Sequence, residues 1–161
     1  MREQVADLSR RRALQSAGAA SLLATALAMG LLRPSDALAE WNKSAFGAQT
    51  VNDVLKNLGV GAPLESTEIA IKAPDIAENG AVVPIEIQSD IAGTKSIAVL
   101  IDKNPFPYAA SFDVSQGALP FVALRVKIGE SSNVRVVVAA ADGKFYTAHK
   151  EIKVTIGGCG G

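Results

Sequence analysis

Three features of this 161-residue sequence point to an all-β fold. Seven short strand-like segments lie beyond residue 67, several of them alternating apolar and polar residues with period two, turn-forming residues separate them about every ten positions, and no helical crossover lies between them. Together they predict an immunoglobulin-like antiparallel β-sandwich with a short N-terminal helix and a flexible C-terminal Gly-Gly-Cys-Gly-Gly arm.

The first element is a leader. MREQVADLSRRRALQ is followed by an uncharged run from Ala13 to Leu32 and then by RPSDALAE, the charged, apolar and small-residue regions of an export signal. Ser9-Arg10-Arg11-Arg12-Ala13-Leu14-Gln15 is similar to the twin-arginine pattern S-R-R-x-F-L-K, with Ala13 replacing the aromatic residue and Gln15 the lysine. Residues 1–39 are therefore read as a twin-arginine-type signal peptide, cleaved after Ala39 and directing the protein to the periplasm. The alternative is an uncleaved anchor, because about twenty uncharged residues can span a bilayer. The run is rich in Ala, Gly, Ser and Thr and is followed by Ala37-Leu38-Ala39, which favours cleavage and no stable membrane anchor.

Cleavage leaves residues 40–161, one domain's worth of chain and enough for a real core. Five of the 16 basic and three of the 16 acidic residues belong to the leader, leaving 11 against 13 and a net charge of −2. No clustered basic face favours nucleic acid.

The mature domain, residues 40–156, opens with TVNDVLKNLG. Val51, Val54, Leu55 and Leu58 recur at helical spacing, Thr50 is placed as an N-cap and Gly59 as the residue that ends the helix. This helix is expected to cover one edge or end of the sheets. Strands follow around Ile69, Ile71 and Ala73, then Val83, Ile85 and Ile87, and then in SIAVLID, YAASFDV, FVALRVKI, NVRVVVAAA and KFYTAHKEIKVTI. Asn79-Gly80 and Asp142-Gly143 read as hairpin turns and Asn104-Pro105-Phe106-Pro107 as a loop.

The last strand, with Ile152, Val154 and Ile156 alternating with Lys153 and Thr155, runs into residues 157–161, Gly-Gly-Cys-Gly-Gly. Cys159 is the only cysteine in the chain. Buried cysteines behave as small hydrophobes, whereas the glycines around this one have the largest backbone freedom of any residue. At about 3.4 Å per extended residue, the thiol reaches roughly 10 Å beyond Ile156. Gly157, Gly158, Gly160 and Gly161 are thus read as a slim swinging arm with Cys159 as an attachment point.

An unperturbed thiol is only about 3% thiolate at pH 7, and the arm supplies no cation, helix N-terminus or metal to raise that fraction. Cys159 is therefore a site to be activated by a visiting partner. No residue of the chain is assigned a catalytic role, and no metal or cofactor site is expected. A prenylation box needs the cysteine fourth from the end, c-type haem attachment needs C-x-x-C-H, and a blue-copper site needs two histidines where this chain has only His149. His149 is expected on a strand surface.

Asp75, Glu78, Asp102 and Asp113 are expected as solvated turn acids. Phe121, Arg125 and Lys127, together with Val137 and Ala139, form either a partner face or ordinary surface alternation.

At Gly157–Gly161, at PDIAENGAVVPI (74–85), at NPFP (104–107) and at DGKFY preceding IKVTIGGCGG, the chain resembles the SoxY family, sulfur-carrier subunits of the Sox thiosulfate-oxidising system. The resemblance spans nearly the whole mature domain, with no departure in the terminal motif. It implies a heterodimer with a SoxZ-like second subunit and covalent sulfur adducts on Cys159. It also implies visits from a haem cytochrome, a sulfate-releasing hydrolase and a sulfur dehydrogenase of the same pathway.

Two other readings compete. A ubiquitin-like carrier ending in Gly-Gly works through a thiocarboxylate formed with ATP, but export removes it from ATP and leaves Cys159 unexplained. A structural or adhesion β-sandwich would use Cys159 only for intermolecular disulfide dimerisation.

Overall fold

The chain divides into two units, residues 1–41 and 42–161. The computed structural model describes residues 42–114 and 117–156, all within the second. Arg10, Arg11 and Arg12 of the expected leader lie outside the described residues, as do Cys159 and the glycines around it.

The described residues form an all-β sandwich of two sheets, preceded by two short helices, α1 (Lys43–Phe46) and α2 (Val51–Asn57). Nine strands are described: β1 (Leu64–Glu65), β2 (Ile69–Lys72), β3 (Ile76–Asn79), β4 (Val83–Ser89), β5 (Thr94–Ile101), β6 (Tyr108–Asp113), β7 (Phe121–Val126), β8 (Ser132–Ala140) and β9 (Phe145–Ile156). The larger sheet runs β1-β9-β8-β5-β6, with β3 also on β9, and the smaller runs β2-β4-β7.

The seven expected strands are all present, and the alternation sets their faces. Val83, Ile85 and Ile87 of β4 and Ile97, Val99 and Ile101 of β5 turn inward and are buried, with Val134, Val136 and Val138 of β8 completing the layer. Burying such a side chain contributes about 1.5–3 kcal/mol, so this layer stabilises the sandwich without a disulfide. Asp142-Gly143 is a hairpin turn as expected, closing β8 onto β9 with Gly143 at φ +80°.

Two strands were not anticipated. β1 and β3 both pair with β9 in parallel, β1 along Tyr146 and Thr147 and β3 along Lys153 to Ile156. The sandwich is otherwise antiparallel. Asn79-Gly80 consequently joins β3 of one sheet to β4 of the other and is not a hairpin, because its flanking strands pair with different neighbours.

The helix forms where the spacing places it. Thr50 Oγ1 accepts from the Asp53 N–H at 3.1 Å and donates to the Asp53 carboxylate at 2.7 Å, a reciprocal N-terminal cap. Gly59, at φ +70°, ends the helix, with its N–H donating to Lys56 O and that of Val60 to Leu55 O. Asn42 Nδ2 donates to Asn57 O and Asn57 Nδ2 to Ser44 O, which ties the start of α1 to the end of α2.

The helical segment covers the outer face of the larger sheet. Ala45, Val54 and Val60 pack with Leu100, Tyr108 and Val137 in a second buried cluster, and the Tyr108 hydroxyl pKa is raised chiefly by that burial. Val137 is only 3% exposed, so the partner-face reading fails there. Phe121, on β7 of the other sheet, remains exposed.

Candidate functional site

The described part of the candidate site is the root from which residues 157–161 depart. β8 pairs with β9 only as far as Ser132 opposite Ile152, and the next four residues of β9 continue alongside β3. Both edges of this projecting piece are held. Val154 N–H donates to Ser131 Oγ at 2.9 Å, Lys153 N–H to Asp75 O at 2.9 Å, and Thr155 Oγ1 to Glu78 O at 2.9 Å.

The last described residue is fastened through its backbone. Gly80 N–H donates to Ile156 O at 2.8 Å, and Gly80 O accepts from Ile128 N–H at 2.7 Å, so both polar groups of this buried glycine are satisfied. Beside this root, Ile76, Val82 and Ile156 expose 59%, 58% and 68% of their surfaces, far more than the sandwich layer beneath them. β9 extends to Ile156 as expected, but its alternation of buried and exposed residues fades there, with Thr155 and Ile156 both exposed.

Of the expected solvated turn acids, Asp75 is exposed as expected, Glu78 is exposed but lies on a strand, and Asp102 is largely covered. Asp102 is ion-paired with Arg135, and the Asp102 side chain, through its hydrogen bond first and its charge as well, raises the Arg135 pKa against an opposing effect of burial. Asp75 pairs with Lys150 Nζ at 2.9 Å, which also donates to Ala73 O at 2.7 Å. Glu78 lies on β3 and offers its backbone carbonyl to Thr155. His149 is on the surface of β9 as expected, with Nδ1 3.6 Å from a Glu65 carboxylate oxygen.

Among the described residues no three of His, Asp and Glu gather as a metal-binding group, and no helix is long and apolar enough to cross a membrane. Sequence reasoning missed Asn104. Its side chain donates to Lys127 O at 2.8 Å and accepts from Gly129 N–H at 2.9 Å, bracing the segment that holds Gly80. The NPFP motif marked the loop but gave no sign of what its asparagine grips.

No match was found among curated proteins. Of solved structures, the sulfur carrier protein SoxY from Chlorobium limicola f thiosulfatophilum aligns at 42% identity and a TM-score of 0.60, covering 66% of this chain and 97% of that one. A superoxide reductase (neelaredoxin) from Ignicoccus hospitalis aligns more loosely, at 18% identity and a TM-score of 0.49 over 53% of this chain and 79% of its own. The family model described as "Sulfur oxidation protein SoxY" matches residues 55–159, a span that runs from α2 through the whole sandwich to Cys159. The chain belongs to the SoxY family of sulfur oxidation proteins.

Proposed function

We propose that this chain carries sulfur intermediates covalently on Cys159 during periplasmic thiosulfate oxidation and is a substrate for partner enzymes, with no turnover of its own. The observation that supports this most is the junction at Ile156. A strand fastened on both edges gives way directly to five residues of which four are glycine and the fifth is the only cysteine in the chain. A fixed origin followed by a slim tether converts bimolecular encounters with small sulfur anions into delivery of a bound substrate.

The chemistry follows from a thiol that others activate. Joining thiosulfate to Cys159 forms an S–S bond, releases the thiol proton and passes an electron pair to a haem cytochrome. A hydrolase then adds water across the S–SO3 bond, freeing sulfate and leaving a persulfide. A sulfur dehydrogenase oxidises the outer sulfur to the sulfonate level, taking three oxygen atoms from water and passing six electrons to a cytochrome acceptor, and a second hydrolysis releases a second sulfate and restores the thiol. A SoxZ-like subunit completes the carrier as a heterodimer, and residues 1–39 take it out by the twin-arginine route.

Intact-mass analysis of the exported protein from thiosulfate-grown cells tests the proposal. Sulfane or sulfonate additions, confined to the peptide containing Cys159 and removable by reductant, are expected. A thiol found only free or as a disulfide dimer would support the structural reading.

A further inference from the structure

Four hydrogen bonds connect the loop after β5 to the end of β9. Asn104 Nδ2 donates to Lys127 O at 2.8 Å, and Asn104 Oδ1 accepts from Gly129 N–H at 2.9 Å, so one side chain holds the backbone on both sides of Ile128. Ile128 N–H donates to Gly80 O at 2.7 Å, and Gly80 N–H donates to Ile156 O at 2.8 Å. Ile128 is fully buried, which fixes the middle of this bracket in the core.

The parts of the bracket come from segments far apart in sequence: two of the four bonds join backbone to backbone, and the other two join the Asn104 side chain to backbone groups. Asn104 alone contributes a side chain. An asparagine suits the position because its amide both donates and accepts, matching a carbonyl and an N–H two residues apart.

We infer that Asn104 is a positioning residue for the terminal arm: acting through Ile128 and Gly80, it fixes the direction in which the chain leaves the sandwich at Ile156. With the bracket closed, the Ile156 carbonyl is held against the sandwich. With it open, the Ile156 carbonyl loses its fixed partner while Lys153 to Thr155 stay held, the thiol explores a wider cone, and fewer encounters present it correctly to a channel. The consequence for partner enzymes rests on the carrier reading of Cys159, whereas the control of exit direction does not.

The test uses the full chain and exploits Cys159 as the sole labelling site. A nitroxide on Cys159 is expected to tumble about twofold faster or more in Asn104→Ala than in the wild type, since terminal segments move on the nanosecond scale once released. Exchange of the Gly80 amide is expected to accelerate about tenfold or more, as that of a locally opened bond. With the sulfate-releasing hydrolase and thiosulfate-loaded carrier, KM is expected to rise about threefold or more with kcat unchanged, because only the competent fraction falls. Asn104→Asp keeps the acceptor for Gly129 and loses the donor to Lys127, so it is expected to give intermediate values, and it carries the test if Asn104→Ala does not fold. Unchanged nitroxide motion in a folded variant overturns the inference, as does faster motion with unchanged KM on a carrier that the hydrolase accepts. Failure of the wild-type carrier to release sulfate defeats the carrier reading instead, and label motion and amide exchange still decide the bracket.

Discussion

Arg135 grips Asp102 with two prongs, Nε to Oδ1 at 3.2 Å and a terminal guanidinium nitrogen to Oδ2 at 2.9 Å, across 33 residues of sequence. The side chains are 25% and 18% exposed, beside the cluster beneath the helices. Fork-to-fork pairs of this kind are among the stronger charged hydrogen bonds. A double-mutant cycle with Arg135→Met and Asp102→Asn is expected to show a coupling energy of about 1–2 kcal/mol by urea unfolding. Additive single-mutant effects would show that the pair contributes nothing of its own.

The two apolar layers make unequal demands. Ile85 lies between the sheets and Ile76 on the rim of β3, the first 1% and the second 59% exposed. Ile85→Ala is expected to cost about 2–5 kcal/mol, from lost burial and a residual cavity. Ile76→Ala is expected to stay within about 0.5 kcal/mol. Equal losses in chemical denaturation would mean that Ile76 is packed and does not face solvent.

Cys159→Ser is expected to leave the melting temperature unchanged and to abolish thiosulfate-dependent turnover, because the residue follows the last strand in sequence and is the proposed attachment point. Retained turnover in the variant would falsify the carrier assignment.

Replacing Gly158 and Gly160 together by valine is expected to slow each partner reaction by obstructing passage through a narrow channel, with little change in melting temperature. Rates equal to wild type, alongside unaltered thiol reactivity toward a small reagent, would remove slimness as the glycines' contribution.

Arg10, Arg11 and Arg12 replaced by lysine are expected to strand this chain inside the cell, and the SoxZ-like subunit with it, if the two assemble before a transport route that carries folded cargo. Fractionation and immunoblotting of both subunits read this directly. A partner that still reaches the periplasm at normal levels sinks the idea of joint export.

β5 and β8 are buried on both faces over part of their length and read as apolar runs. Alternation made β2, β4, β6, β7 and β9 legible because each has a buried and a wetter face, and period two reports that difference directly. β1 and β3 were illegible for the same reason. Leu64 and Glu65 are both exposed, β3 buries only Ala77, and both strands exist because β9 offers them an edge. Val137 shows the complementary gap: its alternation marks a face, but only the folded chain shows that the helices cover it. The site divides similarly. The glycine-flanked cysteine is plain in the sequence, while the Asn104 bracket depends on segments that meet only in three dimensions.

The parallel pairing of β3 with the end of β9 has a mechanical consequence. Tension applied along β9 at Ile156 falls on the neighbouring β3 rungs together, in shear, so they do not open one after another like a zipper. Gly80 and Ser131 anchor the same stretch to segments outside the β3 ladder. The end of β9 is thus braced against a pull along its axis while the sandwich behind it stays closed.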